Sequence, residues 1–330
     1  MIPTPLRADA SHGAPPSLEG LLAAAVRLRP DSPALGDDTG EQRTFAQLEA
    51  AVAAFADRAA AVGLRPGERV LVQNGARSGV VIALLGAARA GLEIVLAPLD
   101  LGPPLIAQAA RKAGAAALIG VAAYGPLAPI EGLFEAAADA ECVRLVGSIG
   151  RAAVDGAVDF SVDGGRGARP AGTQAMRIFT LARGGEGVEL IAHDPALLIA
   201  EALGFVAQAG LGMMTPIVST LAPVTRAGLV LGPLAALALG ADLRLHGPFE
   251  ADTFIALVGS RHVVVPAALA PLLQRAGLLE GPALAALVML SRDRPAPHVR
   301  ARGTVFDVLA SGERSVTLRA KLEPARLSPG

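Results

Sequence analysis

Lysine is nearly missing from this chain. Of 29 basic residues among 330, only Lys112 and Lys321 are lysines, so any chemistry that needs an ammonium group has two candidates to draw on. Tryptophan is absent, tyrosine occurs once and phenylalanine nine times, too few rings for a base-stacking platform. The single cysteine, Cys142, excludes an internal disulfide and a cysteine-based zinc site. An excess of either charge is also missing. The 29 basic residues face 30 acidic ones for a net charge of -1, which leaves no electrostatic footprint for nucleic acid. The start, Met1-Ile2-Pro3-Thr4-Pro5-Leu6-Arg7, lacks the charged segment and apolar stretch of a signal peptide, so a cytoplasmic location is expected. His12, His193, His246, His262 and His298 are scattered without paired spacing, and no metal site is expected from them.

What the chain has is apolar surface. Hydrophobic residues make up 52% and charged residues 18%, which excludes disorder for the bulk, and the length corresponds to roughly two domains of about 150 residues. The richest apolar stretch, 196–224, is interrupted by Glu201, Gly204, Gly210, Gly212 and Pro216. The next, 227–241, is short of the ~20 residues that a membrane span needs. A buried helix followed by a buried strand accounts for the first stretch, and no membrane span is expected.

The local pattern alternates helix and strand. Residues 1–16 hold four prolines and read as a loose tail. Ser17 opens a helix with Leu21, Leu22, Ala25 and Val26 at helical spacing. Two short extended pieces flank Asp37-Asp38-Thr39-Gly40 as a hairpin. Thr44 is an N-cap for an Ala-rich helix from Phe45 to about Val62. Strands at 70–74, 94–98 and 117–120 then alternate with helices at 78–90 and 104–113. Their uniformly apolar composition predicts a parallel sheet covered on both faces. The sharpest shift in composition, Gly164 to Pro170, predicts a linker. A second unit is expected from 171, opening with a strand at 176–180, continuing through alternating elements, and showing its last clear strand at 287–290. The expected organisation is a first α/β subdomain over 17–170, whose N-terminal helix and hairpin pack on the second, a second over 171–320, and a tail over 321–330.

Several segments, in order, resemble the adenylate-forming superfamily of acyl-CoA synthetases, luciferases and peptide-synthetase adenylation domains. Gln42-Arg43-Thr44-Phe45-Ala46-Gln47-Leu48 is similar to the family's Thr-Tyr-x-Glu-Leu helix start. Gly63-Leu64-Arg65-Pro66-Gly67-Glu68-Arg69-Val70 is similar to its Gly-Val-x-x-Gly-Asp-x-Val turn. Farther on, Leu221-Ala222-Pro223, Gly228, Gly240-Ala241, Pro248-Phe249 and Val265-Pro266 keep the family's order. The resemblance covers most of 17–315. It implies an α/β fold of two packed αβαβα subdomains, with the family's mobile C-terminal domain absent. It also implies ATP-dependent activation of a carboxylate to an acyl adenylate, with ATP or AMP and magnesium as ligands.

The motifs of that chemistry are degenerate here. Where the family carries Thr-Ser-Gly-Thr-Thr-Gly-x-Pro-Lys-Gly, this chain reads from Thr180 through Leu181, Ala182, Arg183, Gly184, Gly185, Glu186, Gly187 and Val188 to Glu189. Thr180 and Gly185 match, Val188 stands in place of the lysine, and Glu186 and Glu189 repel a triphosphate. Thr180, Arg183, Gly184 and Gly185 remain as candidate phosphate-binding residues of a rewired anion loop, against the alternative of a surface turn between strand and helix. The family's histidine after Pro223 is missing, with Arg226 nearby. Of Tyr-Gly-x-Thr-Glu only Glu313 survives, a candidate catalytic residue and magnesium ligand or else a solvated charge. Neither lysine takes the role of the family's adenylating lysine. His193-Asp194 reads as a capping pair, and Cys142 as a small core residue.

Two readings follow. In the first the chain is a pseudoenzyme, a ligand-binding, accessory or scaffold protein that retains the acyl, aryl or nucleotide cleft. In the second it is an acid–thiol ligase completed by a partner polypeptide that supplies the missing lysine. The surface uncovered by truncation is expected to attract a protein partner or a second copy.

Overall fold

The computed structural model describes residues 16–161, 176–185, 187–259, 261–279, 284–292, 297–301 and 303–322. The linker expected at 164–170, Glu186 and nearly all of both expected tails lie outside these residues. The strands are β1 (Pro33–Asp37), β2 (Gln42–Thr44), β3 (Arg69–Gln73), β4 (Glu93–Ala97), β5 (Ala115–Gly120), β6 (Leu145–Ser148), β7 (Val158–Asp159), β8 (Ile178–Gly184), β9 (Gly187–His193), β10 (Ile217–Ser219), β11 (Leu243–Leu245), β12 (Arg261–Pro266), β13 (Leu284–Ser291), β14 (Thr304–Ser311) and β15 (Ser315–Leu322). The helices are α1 (Leu18–Leu28), α2 (Phe45–Ala61), α3 (Ser78–Arg89), α4 (Pro103–Ala113), α5 (Pro129–Asp139), α6 (Pro195–Ala209), α7 (Arg226–Leu229), α8 (Ala235–Leu239), α9 (Ala251–Val258) and α10 (Ala270–Arg275). A π-helical turn, Val230–Leu234, joins α7 to α8.

These elements build two sheets. The first runs β7-β6-β5-β3-β4-β8-β9, and the second β15-β14-β13-β12-β10-β11-β1-β2. Alternation along each strand sends side chains to opposite faces. Val70, Val72, Ile94 and Leu96 face a central core shared with α1, α2, α3, α6 and α8. Leu71 and Val95 face a second core under α4 and α5. In the second sheet Leu243, Val264 and Phe306 join the central core, while Val263, Val265 and Met289 pack under α9 and α10. The order is helices, sheet, helices, sheet, helices, the αβαβα layering that the sequence led us to expect.

Local signals explain most of the boundaries. Ser17 caps α1 by accepting from Gly20 N. Thr44 and Gln47 form a reciprocal capping box at α2. Gly114, Gly210 and Gly240 end α4, α6 and α8 in the left-handed conformation. The apolar stretch from 196 is a helix followed by the short buried strand β10, and no helix among the described residues is long and apolar enough to cross a membrane.

Three expectations need correction. The strand at 176–180 does not open the second sheet: β8 pairs parallel with β4 and antiparallel with β9, so 178–193 belongs to the first sheet. The strand expected at 287–290, β13, is not the last but third from the end, because β14 and β15 extend the second sheet as an antiparallel hairpin. Lys321 is accordingly in β15 and not in a tail. In all three cases pairing decides membership, and pairing partners lie far away in sequence.

The packing of α3 on α2 yields a stability test. A Cβ on Gly86 would lie 2.5 Å from the fully buried Phe55 ring. Alanine gains about 1 kcal/mol of helix propensity over glycine, but overpacking costs about 1–3 kcal/mol. With this contact so short, Gly86→Ala is expected to lower the thermal unfolding midpoint, measured by circular dichroism.

Candidate functional site

The residues singled out in the sequence divide into two places. Thr180 and Glu313 converge with Arg226 on one polar cluster, while Arg183, Gly184 and Gly185 sit at an exposed hairpin tip.

The cluster joins the edges of the two sheets. Thr180, on β8, is fully buried, and its Oγ1 lies 2.7 Å from Nε2 of His193 at the end of β9. The other ring nitrogen, Nδ1, lies 3.3 Å from Nη1 of Arg226. Arginine only donates, so Nδ1 accepts and Nε2 carries the proton that it donates to Thr180. Burial, then the charge of Arg226, lowers the His193 pKa to about 4, which keeps the ring neutral in this role. Arg226 Nε donates to Glu201 Oε2 at 2.9 Å. The second oxygen of Glu201 accepts from the backbone N–H of Val316 on β15 at 2.8 Å.

Glu313 lies in the turn between β14 and β15. Its Oε2 accepts from the backbone N–H of Arg226 at 2.6 Å, at the start of α7, where Thr225 caps Gly228 N. A carboxylate at a helix N-terminus satisfies an orphan donor and meets the positive end of the helix dipole. One oxygen of Glu313 is therefore a helix cap. Among the described residues no group of three or more His, Cys, Asp or Glu side chains is arranged to hold a metal ion.

The glycine-rich stretch is the tip of a β-hairpin, not a turn from strand to helix. Arg183 pairs with Val188 and Gly184 with Gly187 across it. At ~3.3 Å per residue, Arg183 is about 10 Å along the strand from Thr180. Its guanidinium is 58% exposed and donates to the side-chain and backbone oxygens of Asp100. Behind the hairpin, Lys112 donates to Val188 O at 2.8 Å, and Lys321 lies over the Phe306 ring. Both lysines thus have local contacts.

His193 and Glu201 were not identified as site residues from the sequence. Asp194 does cap α6 by accepting from Ala196 N, as the capping pair implied, but His193 turns to the cluster. The only sequence signal for Glu201 was a charge interrupting an apolar helix, which demands a partner when buried.

The fold is of one class, that of the N-terminal part of adenylate-forming ligases. More particularly, residues 22–178 match the family model described as AMP-binding enzyme. Solved structures agree in fold. The apo structure of Mycobacterium smegmatis MbtA superposes with a TM-score of 0.79 at 20% identity, covering 94% of this chain and 59% of that one. Acetoacetyl-CoA synthetase from Streptomyces lividans gives 0.71 at 20% identity, over 83% and 47%. The anthranilate CoA ligase AuaEII in complex with anthranoyl-AMP gives 0.75 at 16% identity, over 96% and 63%. This chain therefore spans about half to two thirds of the length of these relatives. No curated protein matches the chain significantly.

Two buried histidines make stability depend on pH. His262, on β12, is also lowered to about 4 by burial, and neither of its ring nitrogens has a partner among the described residues. Between about pH 6.5 and 4 the unfolded chain binds more protons at both histidines than the folded one, so stability falls as the pH is lowered through that window and is unaffected by them above it. At about 1.4 kcal/mol per pH unit and group, each removes stability on the order of 3 kcal/mol. Urea unfolding from pH 7.5 to 4.5 is expected to show this slope, and His262→Leu to make it shallower.

Proposed function

We propose that this chain is a non-catalytic relative of the adenylate-forming ligases, a ligand-binding or accessory protein that keeps the fold without efficient adenylation. The supporting observation is that the groups available to meet a triphosphate and its magnesium are engaged by the chain itself. Arg226 is paired with Glu201, Glu313 caps Arg226 N, and Arg183 is paired with Asp100 at the exposed tip. The matching loop offers no lysine, and the hydroxyl of Thr180 is committed to His193. Losing one preorganised donor to a developing charge typically costs about 100- to 1000-fold. Several are lost or occupied here together. These residues do not fit a magnesium–triphosphate group, and no reaction step is routed through one. The ligand class we propose is an acyl or aryl small molecule, and the relative AuaEII was crystallised with anthranoyl-AMP.

One observation favours a second reading. Thr180, Arg226 and Glu313 meet in one place although they are far apart in sequence, as a ligase completed by a separate lysine-bearing polypeptide requires.

The purified chain is expected to show no ATP–pyrophosphate exchange above background with any of a panel of aliphatic and aromatic carboxylates. Exchange that is abolished by Glu313→Gln while the variant keeps its melting temperature would replace the first reading with the second.

A further inference from the structure

A different cleft carries an inference of its own. Both sheets contain the same five-strand order, β4-β3-β5-β6-β7 in the first and β11-β10-β12-β13-β14 in the second. In each, the chain adds one strand to one side of the starting strand and then crosses to the other side. Ligands of such sheets bind beyond the carboxyl ends of the two strands that flank the reversal. In the second sheet these strands are β10 and β12.

A cleft of about 420 Å³ lies at that position, within the range of small-molecule sites. Thr220 follows β10, Pro266 ends β12 and His246 follows β11. Tyr124 of the first subdomain, Phe249 and Leu272 supply apolar walls. Phe249 and Leu272 are 45% and 52% exposed, and Phe249 packs edge-on against His246 at 5.5 Å between centroids. None of these residues belongs to the Thr180–Arg226–Glu313 cluster.

Two polar atoms among these lining residues have no hydrogen-bond partner within the described residues: Thr220 Oγ1 and His246 Nδ1, both buried. His246 is 1% exposed. Its Nε2 is engaged with the Glu250 backbone at 3.0 Å, which leaves Nδ1 for another group. Burial of a polar atom demands a partner. The chemistry of that partner is constrained by charge. Among the described residues, no arginine or lysine lines the cleft. Arg77, whose guanidinium stacks over the lining residue Tyr124, donates to Gly247 O and pairs with Asp38. Burial lowers the His246 pKa despite the opposing pull of Asp38 and Glu250, so the ring is neutral near pH 7. A carboxylate or phosphate would find no counter-charge there.

We infer that the cleft at the carboxyl ends of β10 and β12 binds a small neutral aromatic molecule with a hydrogen-bonding hydroxyl or amide, ring between Tyr124 and Phe249 and polar group toward Thr220 and His246. The inference goes beyond the proposed function and does not depend on whether the chain adenylates.

The test uses 4-methylphenol, benzamide and benzoate as probes of the full chain by isothermal titration calorimetry. The two neutral probes are expected to saturate with Kd values of about 0.1–1 mM, in keeping with ligands of this size, and benzoate to bind about tenfold more weakly or not at all. Thr220→Val removes the hydroxyl at constant shape and is expected to weaken neutral-probe binding by about five- to tenfold. Ala268→Trp, at an exposed lining position, fills the cleft and is expected to abolish binding at unchanged melting temperature. Arg226→Met is expected to leave binding intact, which separates this cleft from the other cluster. Failure of both neutral probes to saturate by about 10 mM, equal affinity for benzamide and benzoate, or binding insensitive to Ala268→Trp would overturn the inference.

Discussion

The ion pair between Arg226 and Glu201 holds the candidate site in its present form. A half-buried guanidinium is stable only with a carboxylate close by, because water no longer solvates it fully. Glu201 supplies that carboxylate from α6 at 2.9 Å and reaches β15 with its other oxygen. The pair fixes where Arg226 points, and Arg226 in turn contacts His193, which burial first and the Arg226 charge second keep neutral. Through His193 the contact extends to Thr180 on the first sheet, and through the Arg226 backbone to Glu313 on the second. A single charge pair therefore ties together the edges of two sheets.

The two sheets repeat one topology, yet their carboxyl ends differ in chemistry. Beyond β3 and β5 charged side chains of both signs gather. Asp37 accepts from the backbone and hydroxyl of Ser78 at the start of α3, and Arg77 and Arg151 line a smaller cavity of about 160 Å³. Hydrogen bonding to Ser78 and Thr39 holds the Asp37 pKa below its ordinary value against the effect of burial. Beyond β10 and β12 the lining is apolar, with two isolated polar atoms. Between these regions Tyr124 packs against Gly75 and Gly247, and a side chain on either glycine would collide with its ring. The absence of Cβ atoms at these two positions lets loops from the two sheets approach each other.

Much of the fold was legible because its signals are local. Ser17, Thr44 and Asp194 announce helix starts through side-chain oxygens that reach only two or three residues ahead. The apolar runs at 70–72 and 94–97 announce buried parallel strands. The hairpins β8–β9 and β14–β15 were not legible in the same way. β9 is buried only at Val188 and His193, and its glutamate and glycine read as a turn. The final hairpin is rich in Thr, Ser and Arg, and its strand character comes from pairing with β13.

The sequence by itself determined that this is a layered α/β chain whose ordered landmarks resemble those of the adenylate-forming family, and that the stretch from Thr180 to Glu189 holds no lysine and a single hydroxyl side chain. Composition and short-range pattern suffice for that, since they fix which segments must be buried and which cannot carry charge. Only the tertiary structure decided that Glu313 caps α7, that Glu201 neutralises Arg226, and that Thr220 and His246 face the same apolar cleft. Each of those facts joins residues separated by about 25 to 90 positions, and the energy of a buried charge or an unpaired polar atom depends on which distant group the fold brings beside it.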